Sequence, residues 1–301
     1  MSRDLLGLEG KIVMVTGAGR GFGRAIAHGY GRNGATVIAV DPDVELATGV
    51  ASEVEALGAT AIPIRGDMSV VLDVTSTFEK VEELFGLLDG IVHVTTAESK
   101  TPFVELLEGE WYDLMSQDVK SSLYVLQQGL RHLAGGGFVT IVLPPAARIE
   151  PHTVSVRKAV EGLIEGATRT FPGVRVNGVV PSRDPVGDPY DLPLVRAALG
   201  LGSMVSEGIR GVVLEVQLPE PPLEFEPYAA LRELPGSAPT AATPTPGWWT
   251  RGPPTRAWPS AGGGSAPPAD AASPPTSAPS LSPSWWSSGT GARSPSTPTS
   301  S

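Results

Sequence analysis

Apolar runs alternate with amphipathic stretches along residues 1–218, and this pattern predicts strands alternating with helices. Seven runs that are apolar almost throughout predict strands: "KIVMVTG", "TVIAVD", "TAIPIRGD", "GIVHVTT", "FVTIVL", "VRVNGVV" and "GVVLEV". Amphipathic stretches between them predict helices at residues 23–33, 43–58, 76–88, 109–131 and 154–170. Apolar strands separated by helices indicate a parallel sheet that is covered on both faces. The pattern therefore predicts a single doubly wound α/β domain with a seven-stranded parallel sheet, which we place at residues 5–218.

The composition changes sharply near residue 219. A transition segment at residues 219–236 leads into residues 237–301, which consist mainly of Pro, Ser, Thr, Ala, Gly and Trp. Such a segment has few aliphatic side chains to bury and many prolines that cannot join a ladder, so we expect a disordered tail. Five of the six tryptophans lie in it, which is unusual for a solvated tail. Out-of-frame translation of a GC-rich gene explains this composition as well as a linker-like tail does.

Charge and composition exclude several classes of function. The net charge of −10 argues against a nucleic-acid partner, which requires a basic patch. The absence of cysteine excludes disulfides and thiolate sites, and the four histidines show no metal-ligand spacing, so we expect no metal. The N-terminal residues lack the apolar core of a signal peptide, and no apolar run reaches membrane-spanning length. We therefore expect a cytoplasmic protein without a membrane partner.

The motif with the most chemical content is "TGAGRGFG", at residues 16–23 between the first strand and the first helix. Gly17, Gly21 and Gly23 allow a tight turn and a close approach of the backbone to a pyrophosphate. The helix start that follows offers free N–H groups and a positive dipole end to that anion. The alternative is an ordinary strand-to-helix turn. The flanking strand and helix favour a dinucleotide-binding Rossmann domain.

The run "LEGKIVMVTGAGRGFGRAIA" contains the spacing TGxxxGxG and resembles the short-chain dehydrogenase/reductase family. The resemblance continues over residues 5–218 and implies a Rossmann-fold oxidoreductase that binds NAD or NADP. It also implies that the helices at 109–131 and 154–170 pair between subunits, so we expect a homodimer or a homotetramer. Further cofactor contacts that the resemblance implies lie at Arg20, Phe22, Thr95, Arg157 and Pro181.

Residues after the second and third strands bear on how a cofactor is bound. Asp41 follows the second strand, where a carboxylate accepts hydrogen bonds from the adenosine ribose and repels a 2′-phosphate, which favours NAD over NADP. Arg20, a residue type that often accompanies NADP in the family, argues the other way, and a plain turn role also explains Asp41. Asp67 resembles the family aspartate that holds the adenine amino group, with Met68 beside the ring. Capping of the next helix is the rival role of Asp67.

The positions that match the family's catalytic tetrad carry other residues. In the family an asparagine holds a water, a serine polarises the carbonyl, a tyrosine donates the proton and a lysine binds the nicotinamide ribose. The matching positions here are Asp118, Pro144, Thr153 and Arg157. An aliphatic hydroxyl is far less acidic than a tyrosine, so we expect carbonyl reduction to be impaired. Tyr190 is the candidate substitute acid in the expected substrate loop, although simple loop packing also explains it.

Two further departures from the family bear on function. The family motif "NNAG" falls on "HVTT" at residues 93–96, and a threonine in place of the last glycine narrows the passage beside the cofactor. Only about twenty-five residues separate "VVPS" from "GIRGVVLEV", so we expect the family's helical lid to be largely absent. Three hypotheses stay open: an oxidoreductase with an unrecognised acid, a dinucleotide-binding scaffold or sensor that has lost catalysis, and a decayed or frameshifted gene product. The intact glycine loop beside an altered tetrad favours the scaffold.

Overall fold

The computed structural model describes residues 6–95, 97–187, 191–203 and 206–220. These ranges lie in the first of two compact units, Met1–Leu231. The predicted tail and most of the transition segment fall outside the described residues, as do Thr96 and Tyr190. No helix within the described ranges is long and apolar enough to cross a membrane.

The strands and helices of these ranges follow one another in the predicted alternation. The strands are β1 (Ile12–Thr16), β2 (Thr36–Asp41), β3 (Ala61–Arg65), β4 (Leu88–Val94), β5 (Leu133–Val142), β6 (Arg175–Pro181) and β7 (Val213–Val216). The α-helices are α1 (Gly21–Arg32), α2 (Val44–Ala56), α3 (Val71–Phe85), α4 (Glu108–Leu114), α5 (Ser121–His132), α6 (Pro151–Thr170) and α7 (Leu192–Gly202). All strand pairs are parallel, and the order across the sheet is β3-β2-β1-β4-β5-β6-β7. The predicted doubly wound Rossmann fold with seven parallel strands is therefore confirmed.

Neighbouring residues of β1 face opposite sides of the sheet, and both sides are buried. Val13 and Val15 belong to a core cluster that also contains Tyr30 of α1. Met14 belongs to a second cluster, which contains Phe78 of α3. Successive side chains of a strand point to opposite faces, so each face has its own layer of helices. This burial on both sides is the physical reason why the strands are apolar at almost every position.

A helix, α7, occupies the short connection between β6 and β7 and was not among the helices that the sequence pattern predicted. Its Leu194, Val195 and Leu199 belong to the core cluster that contains α1. A Cβ added at Gly29 of α1 would lie 2.5 Å from Cγ1 of Val195, so the two helices pack closely. A parallel pair of strands needs a crossover connection, and α7 supplies it for β6 and β7. The helix is therefore part of the core, and the sequence analysis did not identify it.

The long helix predicted at residues 109–131 is interrupted. A π-helical segment, Met115–Lys120, separates α4 from α5. Within this region Oγ of Ser122 donates to the carbonyl oxygen of Asp118 at 2.5 Å. Hydroxyl bonds to a carbonyl one turn earlier bend helices, and π segments occur frequently at functional sites. The interruption contains Asp118, one of the four residues that the resemblance matches to the tetrad.

Candidate functional site

The candidate site lies at the carboxyl ends of β1 and β4, where the strand order reverses. In open parallel α/β sheets, ligands bind in the crevice at this position. A cavity of about 190 Å³ is lined by Gly17 and Met68 among others. A cavity of about 460 Å³ is lined by Phe22 and Thr95 among others. Val94 lines both cavities, so they are neighbours along the crevice.

The glycine loop joins β1 to α1 and has the backbone that the motif predicts. Gly17 and Gly21 adopt positive φ angles of 68° and 52°, which side chains other than glycine rarely tolerate. A Cβ at Gly23 would lie 1.9 Å from the carbonyl oxygen of Gly17, so the helix start packs directly on the loop. Helix α1 has no acidic residue in its first turn, and Arg20 at its N-cap makes no side-chain capping bond. The helix start therefore offers backbone donors to an anion, which fits a pyrophosphate.

Asp41 is the last residue of β2, and its carboxylate faces the glycine loop. Its Oδ2 accepts the N–H of Gly19 at 2.9 Å, and its Oδ1 accepts the N–H of Asp43 at 3.1 Å. The second bond shows that Asp41 also shapes the turn after β2. A Cβ at Gly19 would lie 2.8 Å from Oδ2, so Gly19 permits this approach. The role of Gly19 is missing from the sequence prediction, although a fourth glycine in "TGAGRGFG" was the signal for it.

Asp67 and Met68 follow β3 and line the smaller cavity. Oδ1 of Asp67 accepts the backbone N–H and the hydroxyl of Ser69, at 2.8 and 2.7 Å. Helix α3 has Val70 at its N-cap and no side-chain capping bond, so the rival role of Asp67 as a helix cap is wrong. Met68 is 5% exposed and also packs in the second core cluster. The cavity therefore combines a carboxylate with an apolar wall, as an adenine site requires.

His93, near the end of β4, forms a buried bridge that the sequence did not predict. Its Nδ1 lies 2.7 Å from Oγ1 of Thr16, and its Nε2 lies 2.9 Å from Oγ of Ser121. The Ser121 hydroxyl donates to the carbonyl of Gln117, so we assign the proton of His93 to Nε2 and let Nδ1 accept from Thr16. Burial lowers the pKa of His93 to about 4, so the ring is neutral at neutral pH. The bridge ties β1, β4 and α5 together beside the smaller cavity.

Asp118, which the resemblance matches to the asparagine of the tetrad, lies in the π-helical segment. It is 1% exposed, and its Oδ1 accepts the backbone N–H of Ala97 at 3.0 Å. An asparagine oxygen accepts the same bond. The position therefore holds the loop after β4 against the helix, as a polar residue of either kind would.

Pro144 and Arg157, which the resemblance matches to the serine and the lysine of the tetrad, are in direct contact. Nε of Arg157 donates to the carbonyl of Pro144 at 3.0 Å. Its Nη2 donates to the carbonyls of Pro145 and Arg148 at 2.7 and 2.8 Å. Thr153, at the tyrosine position, is 6% exposed in the first turn of α6. The guanidinium thus supports the loop between β5 and α6, and the expected contact of Arg157 with a nicotinamide ribose competes with these three bonds.

Three of the remaining predicted contacts line the larger cavity: Arg20, Phe22 and Thr95. The Thr95 hydroxyl donates to the carbonyl of Val142 at 2.9 Å. Pro181 is the buried last residue of β6, and its carbonyl accepts the N–H of Ala146 at 2.7 Å. Tyr190 lies outside the described residues, so its candidacy as an acid stays a prediction. Within the described ranges no group of three or more His, Asp or Glu side chains is placed to hold a metal ion.

A family model described as short chain dehydrogenase matches residues 11–182, which is more than half of the chain. The chain therefore belongs to the short-chain dehydrogenase family. Members of this family are oxidoreductases that bind NAD(P). The glycine loop, the two cavities and the strand order described above agree with this membership.

Individual relatives are similar in sequence, and solved structures are similar in fold. A short chain dehydrogenase of Claviceps purpurea is 30% identical over 184 residues, which cover 58% of this chain and 69% of that protein. A hydroxynaphthalene reductase-like protein of Metarhizium majus is 29% identical over 184 residues, which cover 58% of this chain and 68% of that protein. A solved hydroxysteroid dehydrogenase from Escherichia coli has a TM-score of 0.65 and 24% identity, covering 72% of this chain and 99% of that one. A 7α-hydroxysteroid dehydrogenase, solved with NADH and 7-oxo glycochenodeoxycholic acid, has a TM-score of 0.64 and 22% identity, covering 72% and 96%.

Proposed function

We propose that this chain binds NAD(H) in the crevice but does not reduce carbonyl groups by the tyrosine-dependent route of its family. The observation that carries the proposal is that the Arg157 guanidinium donates to three carbonyls of the loop between β5 and α6. The glycine loop, in contrast, has the backbone that its motif predicts. The remaining function is that of a dinucleotide-binding scaffold or sensor.

The residues around the glycine loop and the smaller cavity fit a dinucleotide whose adenosine ribose carries no 2′-phosphate. The start of α1 suits the pyrophosphate, and the smaller cavity suits the adenine. Asp41 is 8% exposed, so its charge would be poorly screened from a 2′-phosphate, and like charges brought together repel. Arg20 is exposed and lines the larger cavity but not the smaller one. This position weakens the argument for NADP that its residue type provides.

The residues that the resemblance matches to the catalytic tetrad do not supply a proton. A bound reduced nicotinamide would give a hydride to a carbonyl, and the protein would have to protonate the alkoxide that develops. Pro144 has neither an N–H nor a hydroxyl to polarise a carbonyl. The hydroxyl of Thr153 is far less acidic than that of tyrosine, whose pKa is about 10. Burial lowers the pKa of Arg157, but its Nε and Nη2 donors remain bound to backbone carbonyls.

A comparison of NADH with NADPH binding tests the proposed dinucleotide site. We expect NADH to bind more than about tenfold more tightly than NADPH, because juxtaposed like charges cost several kcal/mol. Calorimetric titration of the full chain measures both affinities. In an Asp41→Ala variant the difference should shrink. Asp43→Ala is the matched control, since it removes the same charge from a carboxylate that caps α2 through the N–H of Glu45 at 2.9 Å. Equal affinities in the unmodified protein would show that Asp41 does not face the ribose.

We further propose that the 5–218 domain forms homodimers or homotetramers through the helices at 109–131 and 154–170. Within the first of these ranges, Tyr112 on α4 and Leu123 on α5 are 62% and 37% exposed. Apolar groups left uncovered on a helix face favour association. Sedimentation equilibrium should give at least twice the mass of the chain, and a monomer at high concentration would contradict the proposal.

On composition alone, we also propose a cytoplasmic location and a tail that does not affect cofactor binding.

A further inference from the structure

Arg148 lies in the loop between β5 and α6 and lines the larger cavity. Its Nη1 donates to the carbonyl of Ala97 at 3.0 Å. Its Nη2 forms an ion pair with Asp184 and lies 3.6 Å from Oε2 of Glu98. Its Nε is buried and has no hydrogen-bond partner among the described residues. A buried donor without a partner is uncommon and costs free energy, so the guanidinium has capacity for another acceptor.

The backbone that carries Arg148 is fixed on two sides. Its own carbonyl accepts Nη2 of Arg157 at 2.8 Å. Two residues earlier, the N–H of Ala146 donates to the carbonyl of Pro181 at 2.7 Å. A side chain on a fixed backbone loses less conformational entropy when it binds a ligand. Arg157 is therefore a positioning residue for Arg148.

The wall of the larger cavity combines apolar and charged side chains. The apolar part consists of Phe22, Val94, Leu143, Pro145 and Pro185. The charged part consists of Arg20, Lys100, Arg148, Glu98 and Asp184. Three cations face two carboxylates, so the wall carries a net positive charge. A ligand with an apolar body and a single negative charge complements such a wall.

Asp184 shows how a carboxylate contacts Arg148. The side chain of Asp184 is 51% exposed, whereas that of Arg148 is 21% exposed. Exposed ion pairs contribute little to stability, so a competing carboxylate can displace Asp184 at small cost. Guanidinium groups bind carboxylates through two parallel N–H donors, which gives a bidentate ligand an advantage over a single contact.

We propose that Arg148 anchors a carboxylate site in the larger cavity. The ligand is a small organic carboxylate with an apolar body, and its carboxylate replaces Asp184 on the guanidinium. The site rests on the proposed function in one respect, because a bound dinucleotide would form part of its wall.

Benzoate and its neutral analogue benzamide test the charge requirement. Calorimetric titration of the full chain, with and without saturating NADH, should show benzoate binding about tenfold more tightly than benzamide, as expected for a charge-assisted bidentate contact. Arg148→Met should remove this difference. Lys158→Met is the matched control, since Lys158 is an exposed cation on α6 that pairs with Glu161 at 2.6 Å. Equal affinities for the two probes, or no benzoate binding in either state, would overturn the proposal.

Removal of the competing carboxylate gives a second, independent readout. Asp184→Asn should tighten benzoate binding several-fold, and the gain should vanish in the double variant with Arg148→Met. The single Asp184→Asn variant decides the question even where Arg148→Met fails to fold. Unchanged or weaker benzoate binding in Asp184→Asn would contradict displacement. Absence of NADH binding would refute the proposed function instead, and benzoate titration of the cofactor-free protein would still test Arg148.

Discussion

The unmodified protein is expected to show no measurable NADH-dependent reduction of carbonyl compounds. Loss of a positioned general acid removes about 10²–10⁴ in rate. Loss of a donor to the developing oxyanion removes a further factor of about 10²–10³. Thr153 and Pro144 account for these two losses at the matching positions. Steady-state assays of NADH oxidation with a panel of aldehydes and ketones measure the outcome.

Restoring single tetrad residues is expected to achieve little, because the groups of one proton relay act as a unit. The triple variant Pro144→Ser, Thr153→Tyr, Arg157→Lys should regain at most a trace of activity. Lysine cannot reproduce the forked donation of Arg157 to three carbonyls of the β5–α6 loop. The double variant that retains Arg157 is the matched control, since it keeps the support of the loop.

Robust turnover by the unmodified protein would contradict this prediction. If Tyr190→Phe abolished that turnover, Tyr190 would be the acid. Tyr112→Phe is the control for this variant, because Tyr112 is exposed on α4. Turnover that survives both variants would point to an acid that the tetrad comparison does not suggest.

Replacing His93 by asparagine is expected to flatten the pH dependence of unfolding between about pH 6.5 and pH 4. Burial lowers the pKa of His93 in the folded protein to about 4, whereas a histidine in the unfolded chain has a pKa of about 6.5. Between these values the unfolded chain binds more protons, so the free energy of unfolding falls as the pH falls. The stability that depends on the neutral ring is fully present above the pKa of the unfolded chain, and it is lost as the pH falls through the pKa of the folded protein. It amounts to about 3 kcal/mol, at about 1.4 kcal/mol for each pKa unit.

Urea denaturation of the full chain across this pH range measures the effect. At neutral pH the variant should also be less stable, because Thr16 and Ser121 lose a buried partner, at about 1–3 kcal/mol for each unsatisfied group. Ile91→Val is the matched control on the same strand, since it removes one buried methyl group, costs about 0.5–1.5 kcal/mol and leaves the titrating ring in place. Parallel pH profiles of the unmodified protein and His93→Asn would show that the ring is not held neutral by burial.

The sequence by itself determined the fold and led to the prediction that the catalytic tetrad is altered. Strands covered on both faces must be apolar at almost every position, so "IVMVT" at residues 12–16 and its counterparts carry the sheet in their own composition. The glycine loop is equally local, because positive φ angles and close packing at Gly17 and Gly23 require a residue without a side chain. The chemistry that Pro144 lacks is absent in any fold.

Only the tertiary structure decided the partners of the polar side chains. His93 bonds to Thr16, 77 residues away, and to Ser121, 28 residues away. Arg157, which the resemblance assigned to the cofactor, donates to three carbonyls of the loop between β5 and α6. Helix α7 depends in the same way on its packing against Gly29. Burial leaves a periodic pattern in the sequence, because whether a residue is buried depends on the polarity of its own side chain. A hydrogen bond leaves no such pattern, because its partner is whichever distant group the fold brings within about 3 Å.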